Sequence, residues 1–235
     1  MINILLAGVG GQGTVLAAKV LAQAAQARGW QVRTAETIGM AQRGGNVTSH
    51  VRMGSEGEEV FSSLITPGTA DMVIALEPGE AARALSYLAP GGVLVTATTA
   101  IQPVTAALAG QPYRAGDVVA SLANALQVHA PAEAAAEAVR EAVQPDGTPA
   151  IDAAAPAVGG YPVPLFVPVD DGALVAALGP GSRKSLNMML LAVAVAQNRI
   201  PLTLDEVKQA VEACVKPQFV AMNLEAIDHA AQAYG

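Results

Sequence analysis

The chain has 235 residues, 13 basic and 20 acidic, a formal charge of −7, and 52% hydrophobic against only 14% charged residues. Soluble domains hold about a quarter charged residues, so little charge is available to cover the surface, and a subunit with sizeable interfaces is expected rather than a lone monomer. A net negative chain without Lys/Arg blocks excludes a reader of nucleic-acid backbones, and the longest apolar run, Leu186 to Ala196, is far short of the roughly 20 residues that cross a bilayer.

In chain order, Ile2 to Ala7 is a short apolar run that reads as a strand. It leads into Gly8-Val9-Gly10-Gly11-Gln12-Gly13, and Thr14 to Arg28 then shows the Ala/Leu/Val spacing of a helix. Gln31 to Thr37 reads as a second strand, and this βαβ pattern predicts right-handed crossovers in a mostly parallel sheet. The fold class expected is α/β and Rossmann-like, with helices on both faces and a helical C-terminal portion. Ile38 to Asn46 is too glycine-rich for a regular element, whereas Val47 to Met53 alternates as a strand does. Asp71 to Leu76 predicts a buried strand, Pro78 to Leu88 a helix opened by proline, and Gly92 to Thr96 a strand after the Pro90-Gly91-Gly92 turn.

Periodicity weakens over residues 103–162, which read as an insertion with a surface helix around Ala130 to Val143 and a long loop through Pro145, Pro149 and Pro156. Val163 to Val169 resumes as a strand; Asp170 or Asp171 then caps a helix through Leu178, ended by Gly179-Pro180-Gly181. Ser185 to Asn198, Leu204 to Val215 and Phe219 to Tyr234 predict three successive helices. The whole reads as one domain without internal repeats: a glycine-loop part over 1–102, the insertion, and a last strand with C-terminal helices over 163–235.

Cys214 stands alone, so neither a disulfide nor a cysteine-bound iron–sulfur cluster can form within this chain. His50, His129 and His229 lack zinc-type spacing, and no metal site is expected. The first residues enter a strand pattern without a charged leader, from which a cytoplasmic protein is expected. Charge is uneven: up to residue 54, Lys19, Arg28, Arg33, Arg43 and Arg52 face Glu36 alone, a local +4 that leaves −11 for the rest. The N-terminal segment is thus the place for an anion, unless these cations pair with acidic groups elsewhere.

Gly8-x-Gly10-x-x-Gly13 is the strongest local motif, because glycine lets the backbone turn tightly beside a pyrophosphate whose charge meets a helix N-terminus. Gln12 and Thr14 can add side-chain donors. The bland alternative is that the glycines only permit close strand–helix packing. Glu36, ending the second strand, is a tolerable match for the carboxylate that binds a dinucleotide ribose, so an NAD-binding dehydrogenase stays in play. Against it, Arg43, Gly44, Gly45 and Asn46 form a second donor-rich loop, and no acid/base pair for hydride transfer follows. A G-x-S-x-G elbow, a Walker lysine and an H-E-x-x-H helix are absent, which removes hydrolase and phosphotransferase readings. Arg183 and Lys184 read as solvated, Cys214 as a buried inert thiol, and Met188-Met189 as core or interface packing.

Two stretches go beyond generic α/β features: Gly8 to Gly13, and Ala41-Gln42-Arg43-Gly44-Gly45-Asn46-Val47-Thr48-Ser49-His50-Val51-Arg52. Together they resemble the gamma-type subunit or domain of 2-oxoacid:ferredoxin oxidoreductases, most closely its indolepyruvate branch, the oxidoreductase beta subunit. Leu76-Glu77-Pro78 and Ser185 to Leu191 support the resemblance, which covers about residues 1–102 and 163–235; the stretch from Pro103 to Tyr161 departs from it. The resemblance implies a multi-subunit enzyme that oxidatively decarboxylates an aryl 2-oxoacid to an acyl-CoA. Thiamine diphosphate, Mg and iron–sulfur clusters would sit on partner subunits, a carrier such as ferredoxin would take the electrons, and the isolated chain would be inactive. This chain would contribute a coenzyme A contact: Gly8, Gly10, Gly11, Gln12, Gly13 and Thr14 holding phosphates, with Arg43, Gly44, Gly45, Asn46 and Ser49 approaching the same ligand or the catalytic subunit. A purely structural assembly subunit is the remaining alternative.

Overall fold

The structure, a computed structural model, describes residues 1–39, 45–101, 113–127, 157–158 and 161–235. Eight strands are present among them: β1 (Ile2–Val9), β2 (Gln31–Ile38), β3 (Asn46–Gly54), β4 (Ala70–Ala75), β5 (Leu88–Ala97), the short pair β6 (Ala157–Val158) and β7 (Tyr161–Pro162), and β8 (Leu165–Val169). The helices are α1 (Thr14–Ala27), α2 (Pro78–Ala84), α3 (Ala115–Gln127), α4 (Asp171–Leu178), α5 (Leu186–Ala196), α6 (Leu204–Cys214) and α7 (Pro217–Tyr234).

Six strands form one sheet in the order β2-β3-β1-β4-β5-β8. β1, β4, β5 and β8 pair in parallel, whereas β3 runs antiparallel between β1 and β2. Five of the six strands therefore share one direction. The expected α/β class holds, with one refinement: β3 is a hairpin-type return inserted between the two strands of the first βαβ unit, so β1 and β2 are parallel but not neighbours.

Side chains alternate across the sheet with the period of two that strands impose, and helices cover both faces. Ile4, Leu6, Met72, Ile74, Val93 and Val95 share a core with α1, α5, α6 and α7. Leu5, Ala7, Val73, Ala75 and Leu94 pack on the other side with α2 and α3. Every residue of α5 from Leu186 to Val195 is buried, because that helix is enclosed by the sheet on one side and by α1, α6 and α7 on the others. Met188 and Met189 are thus core residues, and burying each such side chain contributes about 1.5–3 kcal/mol. This enclosed helix accounts for part of the high apolar content.

Boundaries depart from expectation where proline and glycine act. The helix expected through Leu88 stops at Ala84, tightens into a 3₁₀ turn over Leu85–Tyr87, and yields to β5. Pro90-Gly91-Gly92 is not a turn ahead of that strand but an irregularity inside it, where the pairing with β4 shifts and Gly91 takes φ 73°. Pro217 opens α7, as its fixed φ and missing N–H allow in a first turn. The surface helix expected around Ala130 to Val143 lies outside the described residues. A helix that periodicity could have shown was missed at Ala115–Gln127, where Val118, Leu122 and Leu126 recur every four residues and face α2.

Candidate functional site

The chain leaves β1 through α1, which packs on one face, and leaves β4 through α2, which packs on the other. Such a reversal between adjacent parallel strands opens a crevice outside their carboxyl ends, the usual ligand site of open α/β sheets. The glycine turn occupies it. Gly11 and Gly13 take φ 97° and 84°, left-handed values that side-chain-bearing residues rarely adopt. Gly13 is the N-cap of α1, and with no side chain to cap the helix, its first-turn N–H groups stay available. Gly10 donates its N–H to the carbonyl of Gly45 at 2.9 Å, which joins the turn to the loop before β3.

Not every residue of the motif faces a ligand. The Gln12 side chain is engaged at both ends: Oε1 accepts the N–H of Val9 at 2.6 Å, and Nε2 donates to the carbonyl of Leu76 at 2.9 Å. It clamps the end of β1 to the end of β4. A Cβ at Gly8 would fall 2.9 Å from both Gln12 Oε1 and Thr14 Cγ2, so that glycine serves packing, and Thr14 itself is buried. Of the remaining glycines of the motif, Gly10 and Gly11 are exposed and Gly13 is half-buried.

Three residues absent from the motif tie down the chain where it leaves the carboxyl ends of β1, β4 and β5. Asn187, in the first turn of α5, donates from Nδ2 to the carbonyl of Gly13 at 3.0 Å. Glu77 caps α2 by accepting the N–H of Glu80 at 3.1 Å and also accepts the Tyr113 hydroxyl at 2.6 Å. Burial and that bond to Glu77 push the Tyr113 phenol well above its ordinary pKa. Asp171, fully buried, accepts the N–H groups of Thr98 and Thr99 at 3.1 and 2.8 Å, with Arg183 3.2 Å from its other oxygen. Arg183 is therefore a partner of a buried carboxylate rather than a solvated cation. Of the two candidates for the cap of α4, Asp170 fills the role by accepting the N–H of Ala173 at 2.9 Å, which frees Asp171 for these contacts; nothing local pointed to them, to Asn187 or to the Glu77–Tyr113 pair, since each partner lies far away in sequence.

The basic excess of the N-terminal segment is largely spent inside the fold. Arg28 binds Glu206, Arg33 donates to the carbonyl of Val60, and Arg52 donates to Asn3 and the carbonyls of Ser62 and Leu64. Arg43 and Gly44 lie outside the described residues. Glu36 pairs in register with Ser49 on β3, one strand farther from β1 than a ribose-binding carboxylate would be. With strands about 4.8 Å apart, it stands about 10 Å from the strand that carries the turn, which speaks against the NAD reading.

Ser49 is fully buried on the α1 face, opposite Leu6, and its Oγ has no hydrogen-bond partner. Its neighbours Thr48 and His50 point to the other face. There they line a trough of about 200 Å³ together with Leu5, Asn46, Glu80 and Arg83. His50 Nδ1 accepts the N–H of Ile65 at 3.2 Å, which places the imidazole proton on Nε2, and burial lowers its pKa. Burial raises the Glu80 carboxyl, opposed by its ion pair with Arg83. Asn46 also explains Gly39, where any side chain would collide with the Asn46 amide.

Cys214 is partly buried, and desolvation raises its pKa, as an inert thiol requires. Among the described residues no group of three His, Cys, Asp or Glu could hold a metal ion, and no helix is long and apolar enough to cross a membrane.

Compared with known proteins, residues 3–233 match the family described as pyruvate ferredoxin/flavodoxin oxidoreductase. An indolepyruvate oxidoreductase subunit IorB from Thermococcus kodakarensis is 40% identical over 111 residues, 47% of this chain and 54% of that protein. The chain thus spans about half the length of the curated relatives it matches. The gamma subunit of a keto/oxoacid ferredoxin oxidoreductase from Geobacter sulfurreducens superposes with a TM-score of 0.57 at 18% identity, covering 99% of this chain and 97% of that one. A 2-oxoglutarate:ferredoxin oxidoreductase from Magnetococcus marinus, solved with 2-oxoglutarate, coenzyme A and succinyl-CoA bound, gives 0.60 at 18% identity over 100% of this chain and 31% of that one. At that identity these two likenesses speak for the fold alone.

Proposed function

The chain belongs to the pyruvate ferredoxin/flavodoxin oxidoreductase family, and from that membership we propose that it is the cluster-free subunit of a 2-oxoacid oxidoreductase that forms an acyl-CoA. The substrate is an aryl 2-oxoacid of the indolepyruvate kind, a reading supported by the relatives named indolepyruvate oxidoreductase. The observation that carries the proposal is the glycine turn at the reversal between β1 and β4, where two left-handed glycines and an uncapped α1 leave backbone N–H groups free for a phosphate. Coenzyme A, the acyl acceptor, brings such phosphates. Gly11 and Gly13 hold them by backbone donors, Gly10 braces the turn through its bond to Gly45, Asn187 fixes the turn, and Arg43 and Gly44 contribute to the same ligand or to the catalytic subunit. Gln12 and Thr14 serve the turn's geometry.

Thiamine diphosphate with Mg and the iron–sulfur clusters belong to partner subunits in this reading; a lone Cys214 supplies too few ligands for a cluster. The assembly passes its electrons to a carrier such as ferredoxin and works in the cytoplasm, where an unpaired thiol stays reduced. The chain acts as one domain, with residues 103–162 as its insertion.

The test is native co-purification of the tagged chain, followed by an assay for decarboxylation of aryl 2-oxoacids with a viologen dye as acceptor. An iron-containing partner and activity that depends on coenzyme A are expected. A colourless protein without a partner, or decarboxylation indifferent to coenzyme A, overturns the proposal.

A further inference from the structure

We infer that two copies of this chain join through the open edge of β2, so that their sheets run on as one. The sheet ends in β2 on one side and β8 on the other, and exposed edges are ordinarily blunted by lysine, proline, a bulge or a very short strand. β8 is short and carries Pro168, whereas β2 is 8 residues long, holds neither lysine nor proline, and pairs with β3 without a break in register. Gly39 donates its N–H to the carbonyl of Asn46, and these two continue that register, so the odd-numbered residues of β2 are the ones bonded to β3. The N–H and C=O groups of Val32, Thr34, Glu36 and Ile38 therefore point out of the sheet, and no described strand takes them.

Two copies related by a two-fold axis normal to the sheet pair antiparallel, and residues opposite one another then share a face. With Ala35 opposite its own copy, Val32 meets Ile38 and Thr34 meets Glu36, so every outward-pointing residue finds a partner and each pair exchanges two hydrogen bonds. The next register in one direction sets Glu36 against Glu36; in the other it sets Glu36 against Val32, and each leaves Val32 or Ile38 without a partner on β2. Side chains favour the same register. On the α1 face, Ile38, 68% exposed, is covered by Val32, and the Thr34 hydroxyl donates to the Glu36 carboxylate. On the α2 face, Arg33, which donates to the carbonyl of Val60, stands opposite Thr37, and the loop that it holds brings Phe61, 84% exposed, to the seam. A strand from a different protein would need no such symmetry about Ala35, so the occupant is a second copy.

The pairing stands apart from the reading of the glycine turn and is tested without a ligand. The full chain and Thr34→Pro are compared by analytical ultracentrifugation up to high micromolar concentration. Proline at this position removes an outward N–H and none that β3 uses, and circular dichroism checks that the variant folds. In a Cys214→Ala background, Ala35→Cys faces its own copy in a non-hydrogen-bonded pair with Cα atoms about 4.5 Å apart, within disulfide reach. Ile38→Cys, opposite Val32, is the control. A wild-type dimer is expected, with its dissociation constant raised at least tenfold by Thr34→Pro, and mild oxidation should cross-link Ala35→Cys but not Ile38→Cys. A monomeric wild type whose Ala35→Cys form does not cross-link overturns the inference. So does a dimer that a folded Thr34→Pro leaves intact, because the contact then lies elsewhere. A monomeric wild type that loses a different co-purifying subunit on Thr34→Pro gives the edge to that subunit and overturns the second copy. Should Thr34→Pro fail to fold, cross-linking of Ala35→Cys decides the matter alone.

Discussion

Asn187 reaches across 174 positions of sequence to donate its side-chain amide to the carbonyl of Gly13, the residue that starts α1. A Cβ at Gly13 would fall 2.6 Å from that same amide nitrogen, and φ there is 84°. Gly13→Ala thus suffers twice, from a left-handed backbone and from collision, and is expected to cost about 2–4 kcal/mol. Asn187→Ala loses one bond, about 1–2 kcal/mol. The double variant should cost less than the two single costs combined, because the collision disappears with the amide. Urea unfolding of the four proteins measures this coupling; strict additivity would show that the two residues do not touch.

Gln12 makes a sharper division between scaffold and ligand contact. Both ends of its side chain are bonded within the protein, so Gln12→Ala should lower stability by about 1–3 kcal/mol through the lost clamp between β1 and β4. If Gln12 instead serves a phosphate, the same change leaves the urea midpoint where it was and weakens binding of coenzyme A alone.

That distinction shows what the sequence could and could not reveal. Periodicity and turn residues located β1, α1, β2, β3, β4 and the C-terminal helices to within a few residues, because each signal lies within its own element. The place of β3 between β1 and β2 was not legible: strand direction and neighbour are decided by pairing across the sheet, and Val47 to Met53 alternates in the same way in either direction. At the turn, Gly11 and Gly13 were legible as turn residues, since a left-handed backbone needs glycine at the turn itself. Ser49 was misjudged because its motif neighbours Thr48 and His50 face the trough while it faces α1. Asn187, Glu77 and Asp171 act on residues far away in sequence, and no local pattern announces such contacts.

Two carboxyl groups predict opposite pH responses. The Arg28 guanidinium holds the Glu206 carboxyl below its ordinary value, so the stabilisation from this pair is present above the unfolded pKa and is lost as pH falls through the folded one. Both groups are partly exposed, which limits the effect to about 1 kcal/mol or less. Glu80 is raised, chiefly by burial, so its ionisation opposes folding and its effect relaxes on acidification. Urea midpoints of the wild type and Glu206→Gln at neutral pH and near pH 4 test the first: the difference between them should shrink in acid. Glu206→Gln keeps the acceptor that Thr203 needs, so the capping of α6 is not removed with the charge.

Asp171 and Arg183 provide the largest expected effect. The Asp171 carboxylate is fully buried, and one oxygen takes two backbone N–H groups from the chain leaving β5. Asp171→Ala leaves both donors and Arg183 without their partner and is expected to cost about 3–5 kcal/mol. Arg183→Ala removes the counter-ion from a buried charge that retains two hydrogen bonds, so it should cost less than Asp171→Ala. Asp171→Asn in the Arg183→Ala background should recover part of that loss, since the amide oxygen still serves Thr98 and Thr99 and no unpaired charge remains. Urea unfolding orders the variants. Equal stability of Arg183→Ala and the double variant would mean that the guanidinium, 43% exposed, is not what neutralises the buried carboxylate.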